Sequence, residues 1–199
     1  LIAQDFIGDS PIVLVLGDNI FHGSNLIQSL KEANLDDENS TIFAYPVKDP
    51  ERYGVVEFDR NYNVLNIEEK PKDPKTNYAI TGLYFYQNQV IKKIKDLKPS
   101  KRGESEITDL NKLLLSEHQL KIQLLGRGTA WLDTGTCDSL HEASSFIKII
   151  EQRQGLKIGC PEEVSWRQKW ISDQQLIKLS KSLLKSGYGN YLQSIMSTD

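Results

Sequence analysis

The sequence predicts an α/β protein: a mostly parallel sheet flanked by helices, followed by a helical subdomain. Two continuous apolar runs rich in β-branched residues, Pro11-Ile12-Val13-Leu14-Val15-Leu16 and Thr41-Ile42-Phe43-Ala44-Tyr45-Pro46-Val47, read as strands buried on both faces. Between them Leu26, Ile27 and Leu30 recur at helical spacing, with Ser24 placed to cap a helix over 24–35. Strand, helix and strand in that order make the unit of a parallel sheet. Beyond Gly155 the pattern turns amphipathic, with short helices expected near 161–169, 173–184 and 188–196. The chain therefore divides into an α/β domain, 1–155, and a helical subdomain, 156–199.

The remaining elements follow in order. Residues 54–59 and 64–70 nearly alternate around Arg60-Asn61-Tyr62-Asn63, which predicts a hairpin. Tyr78 to Tyr86 reads as a strand with an internal glycine, a place for close approach of a ligand or backbone. Helices are expected over 88–97, stopped by Lys98-Pro99, and over 106–117, opened by Ser105 or the charged turn before it. Leu120 to Leu125 is a further strand, and Ala130 to Gly135 a strand end leading into a helix over about 137–154. No hexapeptide repeat or low-complexity tract interrupts the pattern.

Composition narrows the function classes. A net charge of −3, with Lys and Arg scattered, gives no footprint for a nucleic-acid polymer, so a bound nucleotide would be a small molecule. Cys137 and Cys160 form no CxxC pair, which speaks for a reducing compartment and against a disulfide framework or structural zinc. No apolar run approaches the roughly 20 residues of a membrane helix. The opening Leu1-Ile2-Ala3-Gln4-Asp5 lacks Met, a basic n-region and an apolar h-region, so a truncated start is expected rather than a signal peptide.

The chemistry-bearing candidates sit at strand ends. Asp18 follows the first buried run, where open α/β sheets bind ligands, and Asp133 holds a similar position in Trp131-Leu132-Asp133-Thr134-Gly135. Together they would suit Mg²⁺, which takes one or two carboxylates plus phosphate oxygens; taken singly, each reads first as a helix or turn cap. Lys70, between Glu69 and Pro71, can aim an ammonium at a phosphate, and Glu69 can accept sugar hydroxyls if the strand bends there. Both read equally as a solvated charged strand end. Arg102 could clamp a phosphate bidentately. At Tyr53-Gly54 and Thr81-Gly82 bare backbone could lie against a sugar ring, although turn or bulge chemistry explains either pair. His22, His118 and His141 share no metal or triad spacing.

In order, these pieces resemble glucose-1-phosphate thymidylyltransferases. The resemblance rests on Gly17-Asp18-Asn19, Asp49-Pro50-Glu51-Arg52-Tyr53-Gly54, Glu68-Glu69-Lys70-Pro71, Thr81-Gly82-Leu83-Tyr84-Phe85-Tyr86, Arg102-Gly103-Glu104 through Ile107-Thr108-Asp109, and Trp131-Leu132-Asp133-Thr134-Gly135-Thr136. It extends through Arg153-Gln154-Gly155 and Cys160-Pro161-Glu162-Glu163. It implies a Rossmann-like nucleotide-diphospho-sugar transferase fold, here the carboxy-terminal two-thirds, without the Gly-rich triphosphate loop. The implied reaction joins dTTP and glucose 1-phosphate into dTDP-glucose and pyrophosphate, the first step toward dTDP-rhamnose-type sugars. By the same resemblance Asp18 and Asp133 hold Mg²⁺, and Lys70 and Arg102 contact the sugar phosphate. Tyr53, Gly54, Glu69, Ile80 and Trp131 line the sugar site. His22, Gly23, Gly126 and Arg127, with Glu162 or Glu163, match a regulatory nucleotide site. A cytoplasmic homotetramer is implied for the full-length protein, while the fragment alone is expected to be inactive. Two alternatives stand beside this reading: a non-catalytic sugar-phosphate-binding or regulatory remnant, and the same chemistry with UTP or ATP.

Overall fold

The computed structural model, described over residues 2–97 and 106–197, is organised around one strand, β6 (Tyr78–Tyr86). Ile80, Tyr84 and Tyr86 join one apolar core, while Leu83 and Phe85 pack with the other. That period-two division marks a strand covered on both faces. β3 (Ser40–Pro46) runs antiparallel along one edge of β6. Along the opposite edge lie β1 (Ile12–Val15), paired with residues 83–86, and β4 (Gly54–Phe58), which meets β6 at Ala79. β4 forms the expected hairpin with β5 (Val64–Glu69), its turn tied by the Asp59 carboxylate to the Asn61 and Asn63 amides. β7 (Leu120–Leu124) adds to the far side of β3.

The α/β class stands, but the sheet is mixed and largely antiparallel rather than mostly parallel. β3 with β7 is the only parallel pairing among the described residues. The strand–helix–strand unit over 11–47 does form, yet β6 enters between its two strands and separates them. Apolar runs identify strands and are silent on which strand becomes the neighbour. Nor is β1 buried on both faces: Val13 and Val15 are 52% and 50% exposed. β1 pairs with β6 alone, and no described element covers the face those valines present.

Helices pack on both faces of β3 and β6. A single turn, α1 (Gln4–Ile7), precedes β1. α2 (Leu26–Asn34) sets Leu26, Leu30 and Ala33 against Phe43 and Leu83. It starts after Asn25, not Ser24, and no side chain caps it. α3 (Val90–Asp96) and α4 (Ile107–Ser116) cover the other face with Val90, Leu110 and Leu114. Glu106 is the residue before α4; Lys98-Pro99 and Ser105 lie outside the described residues.

In a second ladder, the strand expected from Ala130 finds a partner that the sequence reading did not name. β2 (Asn19–His22) pairs antiparallel with β8 (Ala130–Asp133), and each strand is four residues long. Its pairing brings Asn19 opposite Asp133. α5 (Cys137–Gln154) follows β8.

The chain divides within α5 into two compact units, Leu1–Ala143 and Ser144–Asp199. In the second unit the expected short helices appear as α6 (Pro161–Arg167), α7 (Asp173–Ser182) and α8 (Tyr188–Ser194). They enclose Cys160, Leu176, Leu192 and Ile195. A capping box between Ser172 and Gln175 opens α7 and satisfies two otherwise orphan backbone donors.

Candidate active site

Beside β6 lies a cavity of about 290 Å³, into which the ends of β4, β5, β8 and the β1–β2 turn converge. Asp18, Tyr53, Gly54, Glu69, Lys70, Ile80, Trp131 and Asp133, all named from the sequence, line it together. Arg102 lies outside the described residues.

The acidic end is built on the small β2–β8 ladder. The Asp18 carbonyl accepts the Thr134 amide at 2.8 Å and its hydroxyl at 3.0 Å, which holds the two chain segments together. A side chain begun at Gly135 would meet Asp133 Oδ1 at 3.3 Å and Asp18 Oδ2 at 3.7 Å, so one oxygen of each carboxylate faces the same small space. Asp133 Oδ1 also accepts the Gly135 amide, at 3.0 Å. Asp133 Oδ2 accepts the Tyr53 hydroxyl at 2.9 Å, and the Arg52 guanidinium stands 3.7 Å away. Arg52 is itself held by Asp49 at 2.7 Å and lies over the Tyr53 ring. Burial, reinforced by the bond to Asp133 and its charge, pushes the Tyr53 hydroxyl up to about 12. It therefore remains a proton donor at any physiological pH.

Asn19 is the connector that sequence reading missed. Its Nδ2 donates to Asp18 Oδ1 at 2.8 Å, while its Oδ1 accepts both the Trp131 indole N–H at 2.6 Å and the Gly82 amide at 3.0 Å. The glycine at 82 lines the cavity and also has a second cause, close packing on Asn19. A Cβ at Gly82 would lie 2.6–2.8 Å from the Asn19 carboxamide, closer than any side chain tolerates.

The opposite end rests on the buried sheet. Thr108, in the first turn of α4, donates to Glu69 Oε2 at 2.5 Å, and a Cβ at Gly54 would press on both groups at 3.2 and 3.4 Å. Gly54 thus leaves room beside an oriented carboxylate. Lys70 follows β5 at φ 44°, with its amide bonded to the Tyr53 carbonyl at 3.0 Å. A lysine in this left-handed region costs roughly 1–2 kcal/mol. Through it the chain bends, so Glu69 and Lys70 face one cavity instead of opposite sides. No ion pair among the described residues involves Lys70. Tyr84, whose hydroxyl is driven up by burial and then by the Glu69 charge, closes the floor with Ile80.

His22 ends β2 opposite Ala130, and Gly23 abuts the turn that carries Gly126 and Arg127. A Cβ at Gly23 would meet Thr129 Cα at 2.8 Å and the Gly128 carbonyl at 2.9 Å, so packing alone demands glycine. Glu162 and Glu163, in the second unit, accept the Tyr188 and Tyr191 hydroxyls. Among the described residues no group of three or more His, Cys, Asp or Glu side chains converges as a metal cluster. No described helix is long and apolar enough to cross a membrane.

Two carboxylates at one end of a cavity and a lysine at the other are the groups that suit a divalent cation and a phosphate, the equipment of an enzyme site. Residues 1–149 match the family of nucleotidyl transferases, and the chain belongs to that family. The chain is 50% identical to a glucose-1-phosphate thymidylyltransferase of Neisseria meningitidis over 98% of its own length and 68% of that protein's. It is 53% identical to one of Xanthomonas campestris over 98% of this chain and 66% of the relative. Among solved structures it matches a Bacillus anthracis glucose-1-phosphate thymidylyltransferase in complex with sucrose, at 40% identity and a TM-score of 0.65. That match covers 73% of this chain and 57% of the other. A UDP-glucose pyrophosphorylase complexed with UDP-glucose shares the fold at 20% identity and a TM-score of 0.64, over 72% of this chain and 58% of its own.

Proposed function

We propose that the protein transfers a nucleotidyl group from dTTP to glucose 1-phosphate, giving dTDP-glucose and pyrophosphate. The convergence of eight sequence-predicted residues on one cavity carries this reading. The names of relatives near 50% identity support it. A phosphate oxygen of the sugar phosphate attacks the α-phosphorus of dTTP in line. The new P–O bond forms as the bond to the bridging oxygen breaks, and pyrophosphate leaves with the electron pair. No covalent enzyme intermediate is required, so the protein contributes position and charge.

Asp18 and Asp133 fit Mg²⁺, since one oxygen of each faces the space that a side chain at Gly135 would enter. Bound there, the ion would neutralise phosphate charge. Lys70 offers its ammonium to the sugar phosphate, with Arg102 as its partner by resemblance. Glu69, oriented by Thr108, accepts sugar hydroxyls, and Tyr53, Gly54, Ile80 and Trp131 form the walls. The α/β part, 1–155, carries this chemistry. His22, Gly23, Gly126 and Arg127 belong to a regulatory nucleotide site of a homotetramer. The protein works in the cytoplasm, toward dTDP-rhamnose-type sugars.

Pyrophosphate release from dTTP, UTP and ATP, each with glucose 1-phosphate and Mg²⁺, tests the proposal in the full-length protein. Release with dTTP well above the others is expected. Preference for UTP or ATP would change the substrate, and sugar-phosphate binding without release would leave a binding remnant.

A further inference from the structure

On each of the paired carboxylates one oxygen is tied by a side chain and the other is turned toward the space beside Gly135, where Asp133 Oδ1 also accepts the Gly135 amide at 3.0 Å. On Asp18 the tied oxygen is Oδ1, bonded to Asn19 Nδ2 at 2.8 Å; on Asp133 it is Oδ2, bonded to the Tyr53 hydroxyl at 2.9 Å. The remaining oxygens, Asp18 Oδ2 and Asp133 Oδ1, lie 3.7 and 3.3 Å from the Gly135 Cβ position. A carboxylate free to rotate could present both oxygens to a cation. These two are pinned from behind.

We propose that Asn19 and Tyr53 are positioning residues that make Asp18 and Asp133 one-oxygen ligands of the divalent ion and tie that ion to the sugar wall through Trp131. The inference rests on the metal reading given above and extends it. Both residues reach Trp131: Asn19 accepts its indole N–H at 2.6 Å, and the Tyr53 ring stands 5.1 Å from its ring, tilted by 58°. The carboxylates are thus oriented by the two groups that also set the indole. Tyr53, assigned to the sugar site from sequence, has its hydroxyl committed to Asp133. Groups that orient metal ligands from behind set affinity, and their removal costs roughly 10–100-fold. One-oxygen ligation also leaves coordination positions for phosphate oxygens and water, as Mg²⁺ prefers.

Trp131 supplies a readout separate from turnover. With Trp166 and Trp170, and any tryptophan outside these 199 residues, replaced by phenylalanine, Trp131 is the single tryptophan left. Its emission would be followed as the full-length protein, with dTTP present, is titrated with Mn²⁺. Tyr53→Phe removes one oxygen and keeps the ring on Trp131, and Asn19→Ala removes the carboxamide. Each is expected to raise the half-saturating Mn²⁺ by roughly tenfold or more. Asn19→Ala should also shift the emission maximum of the metal-free protein, because the indole loses its acceptor. An unchanged half-saturation in Tyr53→Phe and Asn19→Ala, alongside loss of saturation in Asp18→Asn and Gly135→Ala, would overturn the inference alone. If Asp18→Asn and Gly135→Ala also titrate like the parent, the metal reading falls and this inference with it.

Discussion

The two ends of the cavity are built in contrasting ways. The end with Glu69 and Lys70 stands on β4, β5 and β6, strands whose inward residues Val56, Ile67 and Ile80 are buried in the main core. The end with Asp18 and Asp133 stands on a four-residue ladder whose orientation comes from hydrogen bonds through Asn19, Thr134 and Tyr53. Apolar packing holds the first end and resists deformation, because a packed interior transmits strain. A polar network holds the second, and each such bond contributes only about 0.5–1.5 kcal/mol. Apolar packing is thus concentrated at the end with Glu69 and Lys70, and polar linkage at the end with the two carboxylates.

The sharpest way to break this contrast is at the acidic end. Asp18→Asn or Asp133→Asn should lower turnover on the order of 10²–10³-fold or more while moving the melting temperature by a few degrees at most. Steady-state kinetics beside calorimetry checks it, and parent-like turnover in either variant removes the paired-carboxylate site. The converse substitution lies under the end with Glu69 and Lys70. Ile67→Ala, two residues before Glu69 on β5, should cost about 2–5 kcal/mol in urea unfolding, because Ile67 is fully enclosed. A loss under 1 kcal/mol would mean that this end is not held by packing.

Smaller effects sharpen the division. Lys70→Ala should raise the KM for glucose 1-phosphate by roughly tenfold, the scale of a lost charge-assisted bond, with little change in the KM for dTTP. An unchanged sugar-phosphate KM and kcat would contradict the role given to its ammonium. The smallest effect belongs to pH. Tyr53 titrates near 12 in the fold, above the ordinary tyrosine value of 10, so the folded state favours its neutral form. Its contribution to stability is therefore complete below pH 10 and is lost as pH rises from 10 toward 12. Tyr53→Phe should flatten unfolding free energy across that window; an identical slope in both proteins would remove the upward shift, set first by burial and then by Asp133, from the account.

How legible the site was follows the same division. Asp18, Glu69, Lys70 and Asp133 stand beside strand-ending turns, and β5, β6 and β8 carry recognisable strand patterns, so they could be named from the sequence. What joins them could not. Tyr53 bonds a carboxylate eighty positions away, and Asn19 reaches Trp131 across a still longer separation. β2 escaped notice because a four-residue ladder needs no alternating pattern. The Gly17-Asp18-Asn19 turn was the available signal for Asn19, but a turn asparagine has a local explanation that hides a distant one. The mixed sheet was missed for a related reason: β1 and β3 do run in the same direction, and only the insertion of β6 separates them.

The parallel pairing of β3 with β7 sets Ser40 against Leu120 and so closes a long excursion of the chain. Gly54, Glu69, Lys70, Ile80, Gly82 and Thr108 all fall inside that excursion, whereas Asp18 and Trp131 lie outside it. Distant pairings form late, since loop-closure entropy must be met before their contacts form. During folding, the hairpin and β6 can assemble the wall with Glu69 and Lys70 as a local unit, and arrival of β7 then carries β8 and Trp131 toward Asp18. The order of assembly would make the acidic end the last part of the cavity to exist, and the first to be lost when the chain begins to open.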